Sequence, residues 1–93
     1  MDLGLKGKRA IVTGGSRGIG RCCALAIAGE GACVCVTALT KELLDKVKDE
    51  INQAGGEAHA VTSNLTTLAG CRKVVNAALE RFGGVDILIN CAG

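Results

Sequence analysis

Short apolar runs alternate with helix-like segments along the whole chain. The clearest run, Ala32–Thr37, is not interrupted by charge, which is typical of strands buried on both faces of a parallel sheet. The spacing predicts strands over 10–13, 32–37, 58–62 and 85–90, and helices over 19–30, 41–54 and about 67–82. Elements in this order build four parallel strands and three helices, the first half of a doubly wound α/β sheet with right-handed crossovers.

The predicted helices carry end signals and apolar faces. Thr40 predicts an N-cap for the second helix, and Thr66 or Thr67 predicts one for the third. The residues expected to face the sheet are Leu43, Leu44, Val47 and Ile51 in the second helix and Val74, Val75, Ala78, Leu79 and Phe82 in the third. We expect two helices on one face and one on the other. The last strand, with Ile87–Ile89, then forms an open edge through which copies can associate.

Composition excludes several classes of function. Ninety-three residues allow one small domain, and 48% apolar with 22% charged residues indicates a globular chain. A net charge of +2 and a single aromatic residue, Phe82, argue against nucleic-acid binding. No apolar run is long enough to cross a membrane. The segment Met1–Lys6 lacks the apolar core of a signal peptide, so we expect a cytoplasmic protein.

Six cysteines in so short a chain raise the question of disulfides or metal. There is no Cys-x-x-Cys, and the single histidine, His59, falls in a predicted strand, so no zinc ligand set is expected. Cys22 and Cys23 are neighbours on a predicted helix, and Cys33 and Cys35 alternate along a predicted strand. We therefore expect reduced, buried cysteines that act as small apolar side chains.

A glycine-rich stretch between the first strand and the first helix is the strongest functional signal. Glycine lets backbone approach a phosphate, and the helix start adds unpaired N–H groups and a positive dipole end, so this turn suits a pyrophosphate. A P-loop is excluded because Arg21 and Cys22 stand where lysine and a hydroxyl are required. The Gly-x-Gly-x-x-Gly fingerprint is also absent, because Gly18-Ile19-Gly20 is followed by Cys23 where the third glycine is required. The spacing is Thr-Gly-x-x-x-Gly-x-Gly; the alternative is that these glycines only permit a tight turn.

Two further motifs follow the third and fourth predicted strands: Ser63-Asn64-Leu65 and Asn90-Cys91-Ala92-Gly93. With the glycine turn, they make the chain similar, over essentially its whole length, to the N-terminal part of a short-chain dehydrogenase/reductase. The resemblance implies a Rossmann-type fold, with residues 1–93 as one partial NAD(P)-binding domain. The residues it implies around the cofactor are Thr13, Gly14, Ser16, Arg17, Gly18, Ile19, Gly20, Asn64, Leu65, Asn90, Ala92 and Gly93.

Within that resemblance, the glycine-turn residues surround the phosphates. Asn64 meets the adenine amino group, Leu65 packs on the ring, and Asn90 lines the adenosine side of the cleft. Two positions depart from the family. Asn64 offers an amide where a carboxylate is usual, which weakens adenine recognition, and Cys91 replaces an asparagine.

The residues after the second strand bear on the choice of cofactor. Sites selective for NAD place a carboxylate there for the ribose 2′-hydroxyl, whereas this chain has Thr37-Ala38-Leu39-Thr40. Arg17 stands where the family often has a basic residue against a 2′-phosphate, and Lys41 is a second candidate. We expect NADP(H) to be favoured over NAD(H).

The chain contains no tyrosine, so it has no Tyr-x-x-x-Lys, the pair that supplies acid–base chemistry in the family. No catalytic residue is assigned, no metal is expected, and the chain alone is expected to be inactive. One interpretation is a fragment of an oxidoreductase whose full-length parent transfers hydride between NADP(H) and a carbonyl or alcohol substrate. The alternative is a free-standing, non-catalytic dinucleotide-binding or regulatory module.

Overall fold

A computed structural model of the protein describes residues 4–14 and 18–91. Strands and helices alternate within these ranges as predicted. The elements are β1 (Arg9–Thr13), α1 (Gly18–Gly29), β2 (Cys33–Ala38), α2 (Lys41–Gln53), β3 (Glu57–Thr62), α3 (Leu68–Phe82) and β4 (Ile87–Asn90).

The four strands form one parallel sheet in the order β3-β2-β1-β4. In its centre, Val12 lies opposite Val36 on one side and Ile89 on the other. The chain moves outward from β1 to β3 and then returns to the other side of β1 to add β4. The strand order therefore reverses between β1 and β4, which confirms the predicted doubly wound topology.

Helices α1 and α2 cover one face of the sheet. Val12, Val34 and Val36 of the sheet are fully buried there. Small residues of α1, Ala24 and Ala28, bring that helix close to the strands. Leu44, Val47 and Ile51 of α2 are buried as predicted, while Leu43 is only half-buried.

Helix α3 covers the opposite face, where Val74 and Ala78 pack against a cluster containing Ile11, Cys35 and Val61, with Phe82 half-buried beside it. The prediction that Val75 and Leu79 also point inward is wrong: they are 44% and 47% exposed. These two side chains, one turn apart, form a second stripe of α3, and Val75 lines an open groove together with Leu88 of the edge strand β4. Leu88 of β4 is exposed on the same side.

Helix ends are only partly as expected. Thr67 is the side-chain cap of α3, because its Oγ1 accepts a hydrogen bond from the Gly70 N–H at 3.0 Å. Gly83 ends α3 in the left-handed conformation with φ of 80°. Thr40 occupies the N-cap position of α2, but its side chain makes no capping hydrogen bond. Its carbonyl accepts from the Leu44 N–H instead.

The expectation of buried cysteines is largely wrong. Only Cys35 is buried, whereas Cys22 and Cys71 are exposed and the others are half-buried; all six are free thiols. Cys22 is exposed because it lies on the outer side of α1, whereas Ala24 and Ala28 of the same helix are buried. The described residues contain no cluster of three or more metal-ligating side chains and no helix long and apolar enough to span a bilayer.

Candidate cofactor site

The carboxyl ends of β1 and β4 are joined by Thr13. Its Oγ1 lies 2.7 Å from Asn90 Oδ1 and donates to it. Its carbonyl accepts from the Cys91 N–H at 3.1 Å. Thr13 is buried, so these bonds set the positions of the two strand ends at the point where the strand order reverses. Ligands of doubly wound sheets bind outside the strand ends at such a point.

The glycine turn leaves β1 directly at this point. Gly14 has φ of 67° and donates its N–H to the Thr37 carbonyl at 2.8 Å, so the turn starts fixed to β2. Gly18 begins α1 with φ of 60°, and within the described part of the chain no atom lies within 4 Å of where a Cβ would stand. Both conformations favour glycine strongly. Ile19, the second residue of α1, is 77% exposed, whereas Gly20 is buried against the sheet.

Four of the sequence-predicted site residues, Ser16, Arg17, Ala92 and Gly93, lie outside the described residues. The basic residue that follows the turn, Arg21, faces away from it. Its Nε donates to Glu50 Oε1 of α2 at 3.2 Å, and its Nη2 bonds the other carboxylate oxygen. This pairing raises the Arg21 pKa and occupies the side chain at the position where a P-loop has its phosphate-binding lysine.

The end of β3 is organised around Asn64 and the first turn of α3. The Asn64 Oδ1 accepts hydrogen bonds from the Thr66 N–H at 3.0 Å and the Thr66 hydroxyl at 2.6 Å. A backbone N–H can only donate, so this contact sets which end of the carboxamide faces Thr66. Thr66 is the residue that sequence reasoning missed, since it was considered only as a helix cap. The spacing Asn-x-Thr, typical of an Asx turn, is the signal that indicates it.

An open groove of about 490 Å³ connects the ends of β3 and β4 on the α3 side of the sheet. Asn90 and Thr66 lie at its polar end, and Val74 and Val75 of α3 contribute to one wall. The lining residues are Ile11, Thr13, Leu65, Thr66, Cys71, Val74, Val75, Leu88 and Asn90. The structure therefore brings Leu65 and Asn90 to one apolar cleft, as the strand order requires.

The end of β2 is apolar and neutral. Ala38 is its last residue, and Leu39 is 71% exposed beyond it. Lys41 lies at the start of α2, where its Nζ is 2.9 Å from Asp45 Oδ2, which raises the Lys41 pKa. Lys41 therefore already has an ionic partner within its own helix.

A carboxyl group with a lowered pKa lies at the opposite edge of the sheet. Asp86, just before β4, accepts from the Arg9 N–H and Nε at 2.9 Å and from Nη2 at 3.2 Å. These bonds lower the Asp86 pKa to about 2. The pair joins the amino ends of β1 and β4, far from the glycine turn, so its role is structural.

Comparison with known proteins agrees with this geometry. The family model for short chain dehydrogenases matches residues 8–93. The chain belongs to the short-chain dehydrogenase family. An uncharacterized oxidoreductase of Methylorubrum extorquens is 43% identical over 90 residues, which are 96% of this chain and 36% of that protein. The chain thus spans little more than a third of such relatives.

Solved structures of the family give the same fold. The hydroxysteroid dehydrogenase from Escherichia coli superposes with a TM-score of 0.93 at 39% identity, over 96% of this chain and 38% of that one. A metagenomic short-chain oxidoreductase in complex with NADP has a TM-score of 0.90 at 39% identity, over 96% and 40%. A 7α-hydroxysteroid dehydrogenase complexed with NADH has a TM-score of 0.89 at 38% identity, over 90% and 33%.

The family assignment makes this an NAD(P)-binding domain of the short-chain dehydrogenase type. The described residues fit such a cofactor: Gly14 and Gly18 have left-handed backbone on either side of the turn, Gly18 begins a helix, and an apolar cleft lies beside them. A pyrophosphate suits the first feature and a flat aromatic base suits the second.

Proposed function

We propose that this chain is the cofactor-binding part of a dehydrogenase/reductase that transfers hydride between NADP(H) and a carbonyl or alcohol substrate. The observation that carries the proposal is the glycine turn at the β1/β4 reversal, with Thr13 bonded to Asn90 beside it. The bound nicotinamide supplies the hydride chemistry. The 93 residues supply binding and orientation, and none of them is assigned a catalytic role.

The phosphates are assigned to the turn between β1 and α1. Gly14 and Gly18 support this because their positive φ angles shape the turn, and the space beside Gly18 is open. The start of α1 adds unpaired N–H groups and a positive dipole end. The residues proposed to surround the phosphates are Thr13, Gly14, Ser16, Arg17, Gly18, Ile19 and Gly20.

The adenosine is assigned to the polar end of the groove. Leu65 offers an apolar surface for the ring, and Asn64 and Asn90 offer amide groups at the ends of β3 and β4. Ala92 and Gly93, which follow β4 in sequence, are assigned to the adenosine as well. The Asn64 oxygen already accepts two hydrogen bonds from Thr66, so it has less capacity for the adenine amino group than a carboxylate would have.

The preference for NADP(H) rests on charge. No carboxylate lies between Thr37 and Lys41 to repel a 2′-phosphate, and Arg17 is the cation assigned to it. Lys41 is a weaker candidate because Asp45 already pairs with it. Hydrogen bonds to charged groups contribute about 1.5–3 kcal/mol each, so one such bond shifts the cofactor preference by about tenfold or more.

The test titrates the intact Arg17→Ala protein with NADPH and NADH, using the fluorescence of the reduced nicotinamide. We expect the Kd of NADPH to rise about tenfold or more and that of NADH to stay nearly constant. Arg21→Ala is the matched control, because Arg21 pairs with Glu50 and should leave the preference unchanged. Equal losses of affinity for both cofactors would contradict the assignment. If neither NADPH nor NADH binds the unsubstituted protein, the proposed function itself is contradicted.

A further inference from the structure

Two cysteines from distant parts of the chain belong to the two elements that meet beside the glycine turn. Cys91 directly follows β4, and Cys23 lies in the second turn of α1. Both are half-buried and free. Neither thiol has a part in the proposed cofactor binding.

The pleat of β4 places Cys91 on the α1 side of the sheet. Leu88 and Asn90 point to the opposite side, where they line the groove beside α3. Ile89 points to the α1 side and packs against the cluster that contains Ala24 of α1. Side chains alternate along a strand, so Cys91 follows Ile89 to the face that α1 covers. The bond from the Cys91 N–H to the Thr13 carbonyl, at 3.1 Å, continues the β ladder to this residue.

Helix geometry places Cys23 on the matching side of α1. Ile27, one turn later on the same face, also packs against the cluster that Ile89 contacts. Both thiols therefore lie where α1 packs against the end of β4. Burial raises the pKa of Cys91, and the neighbouring Cys23 thiol raises it further through charge repulsion and a side-chain hydrogen bond.

We propose that Cys23 and Cys91 form a reversible disulfide that fastens α1 to the carboxyl end of β4. The oxidant is a low-molecular-weight disulfide such as oxidised glutathione. One cysteine thiolate attacks it, which forms a mixed disulfide and releases one glutathione thiolate. The second cysteine thiolate then attacks the protein sulfur of the mixed disulfide and releases the second glutathione. The protein dithiol is oxidised, and one glutathione disulfide is reduced to two glutathione molecules.

The bridge spans the reversal point at which the glycine turn and the end of β4 meet. It therefore creates a covalent link between the two elements that border the cofactor cleft. It also closes a loop from residue 23 to residue 91, which restricts the unfolded chain and stabilises the folded one. Reaction through a thiolate becomes faster as the pH rises toward the raised pKa of Cys91.

The test incubates the intact protein in glutathione buffers of increasing oxidised fraction, followed by non-reducing tryptic digestion and mass spectrometry. We expect the peptide that begins at Cys22 to be linked to the peptide that begins at Phe82, with fragment ions that assign the bond to Cys23 and Cys91. Oxidation should raise the Tm by about 5 °C or more. Both effects should disappear in Cys23→Ser and in Cys91→Ser.

Cys22→Ser is the matched control, because it alters the adjacent exposed thiol and should keep both the link and the rise in Tm. A link from Cys91 to Cys22 instead of Cys23 would overturn the proposal. So would glutathione that stays attached to Cys23 or Cys91, or an oxidised protein with the Tm of the reduced one.

Discussion

Gly70 supports the loop that carries Asn64. It is the third residue of α3, and its N–H donates to the capping Thr67 Oγ1 at 3.0 Å. Its carbonyl accepts from the buried Ser63 hydroxyl at 2.7 Å. A Cβ at this position would overlap the Asn64 carbonyl oxygen and lie 2.7 Å from the Asn64 carbonyl carbon. Ordinary contact begins at 3.4 Å, so the loop has to move before Gly70→Ala can be accommodated.

Two opposing effects determine the result of Gly70→Ala. Alanine gains about 1 kcal/mol over glycine from helix propensity. Overpacking costs about 1–3 kcal/mol, and weakening the Thr67 cap costs about 1 kcal/mol more. We therefore expect the free energy of unfolding to fall by about 1–3 kcal/mol. Since the displaced residue is Asn64, the affinity for NADPH should fall as well.

The assay combines urea denaturation with NADPH titration of the intact protein. Gly29→Ala is the matched control, because Gly29 also lies in a helix and no atom lies within 4 Å of its Cβ position. We expect this control to be as stable as the original protein or more stable, with an unchanged Kd. A Gly70→Ala protein that is as stable as the Gly29→Ala control and binds NADPH normally would refute the close approach of Asn64 to α3.

Three further changes follow from polar contacts. Asn64→Asp keeps an oxygen for Thr66 and presents a charged acceptor to adenine. The Kd of NADPH should therefore fall about fivefold, an effect of about 1 kcal/mol. A rise in Kd would contradict the adenine contact. Asp86 has its pKa lowered to about 2, so its stabilising pair with Arg9 is present above about pH 4 and is lost as the pH falls toward 2. The difference in Tm between the original protein and Asp86→Asn should therefore shrink as the pH falls from about 4 to 2. A difference that stays constant would contradict the role of this pair. The Thr37 hydroxyl is fully buried and has no hydrogen-bond partner among the described residues. Thr37→Val should therefore raise the free energy of unfolding, measured by urea denaturation, by about 1 kcal/mol. A lower free energy of unfolding would indicate that the hydroxyl has a partner.

The sequence predicted the fold well because its apolar runs and helix ends carry most of the information. The run Ala32–Thr37 contains no charged residue, which is typical of a central strand. In the structure it corresponds to β2, which lies between β1 and β3. Periodicity also identified Leu44, Val47 and Ile51 as the buried face of α2.

The incorrect predictions concern which neighbouring elements each helix and strand contacts. Periodicity shows that Val75 and Leu79 form an apolar stripe on α3, but not whether the described sheet extends beneath it. The placement of Cys23 and Cys91 on facing sides of α1 and β4 depends on how the pleat of β4 meets α1, which neither local segment reveals. In the site, the strand ends were predicted from topology, whereas the bond from Thr66 to Asn64 was missed although the Asn-x-Thr spacing indicates it.

Strands β1 and β4 are neighbours in space, although most of the chain separates them in sequence. Arg9 and Asp86 join their amino ends, and Thr13 and Asn90 join their carboxyl ends, each across 77 positions. Contacts this distant cost loop-closure entropy before they form, so β4 should join the sheet late. During synthesis on a ribosome, β1, β2 and β3 can pair before β4 emerges. Among the four described strands, the cleft between β1 and β4 is therefore the last to be assembled.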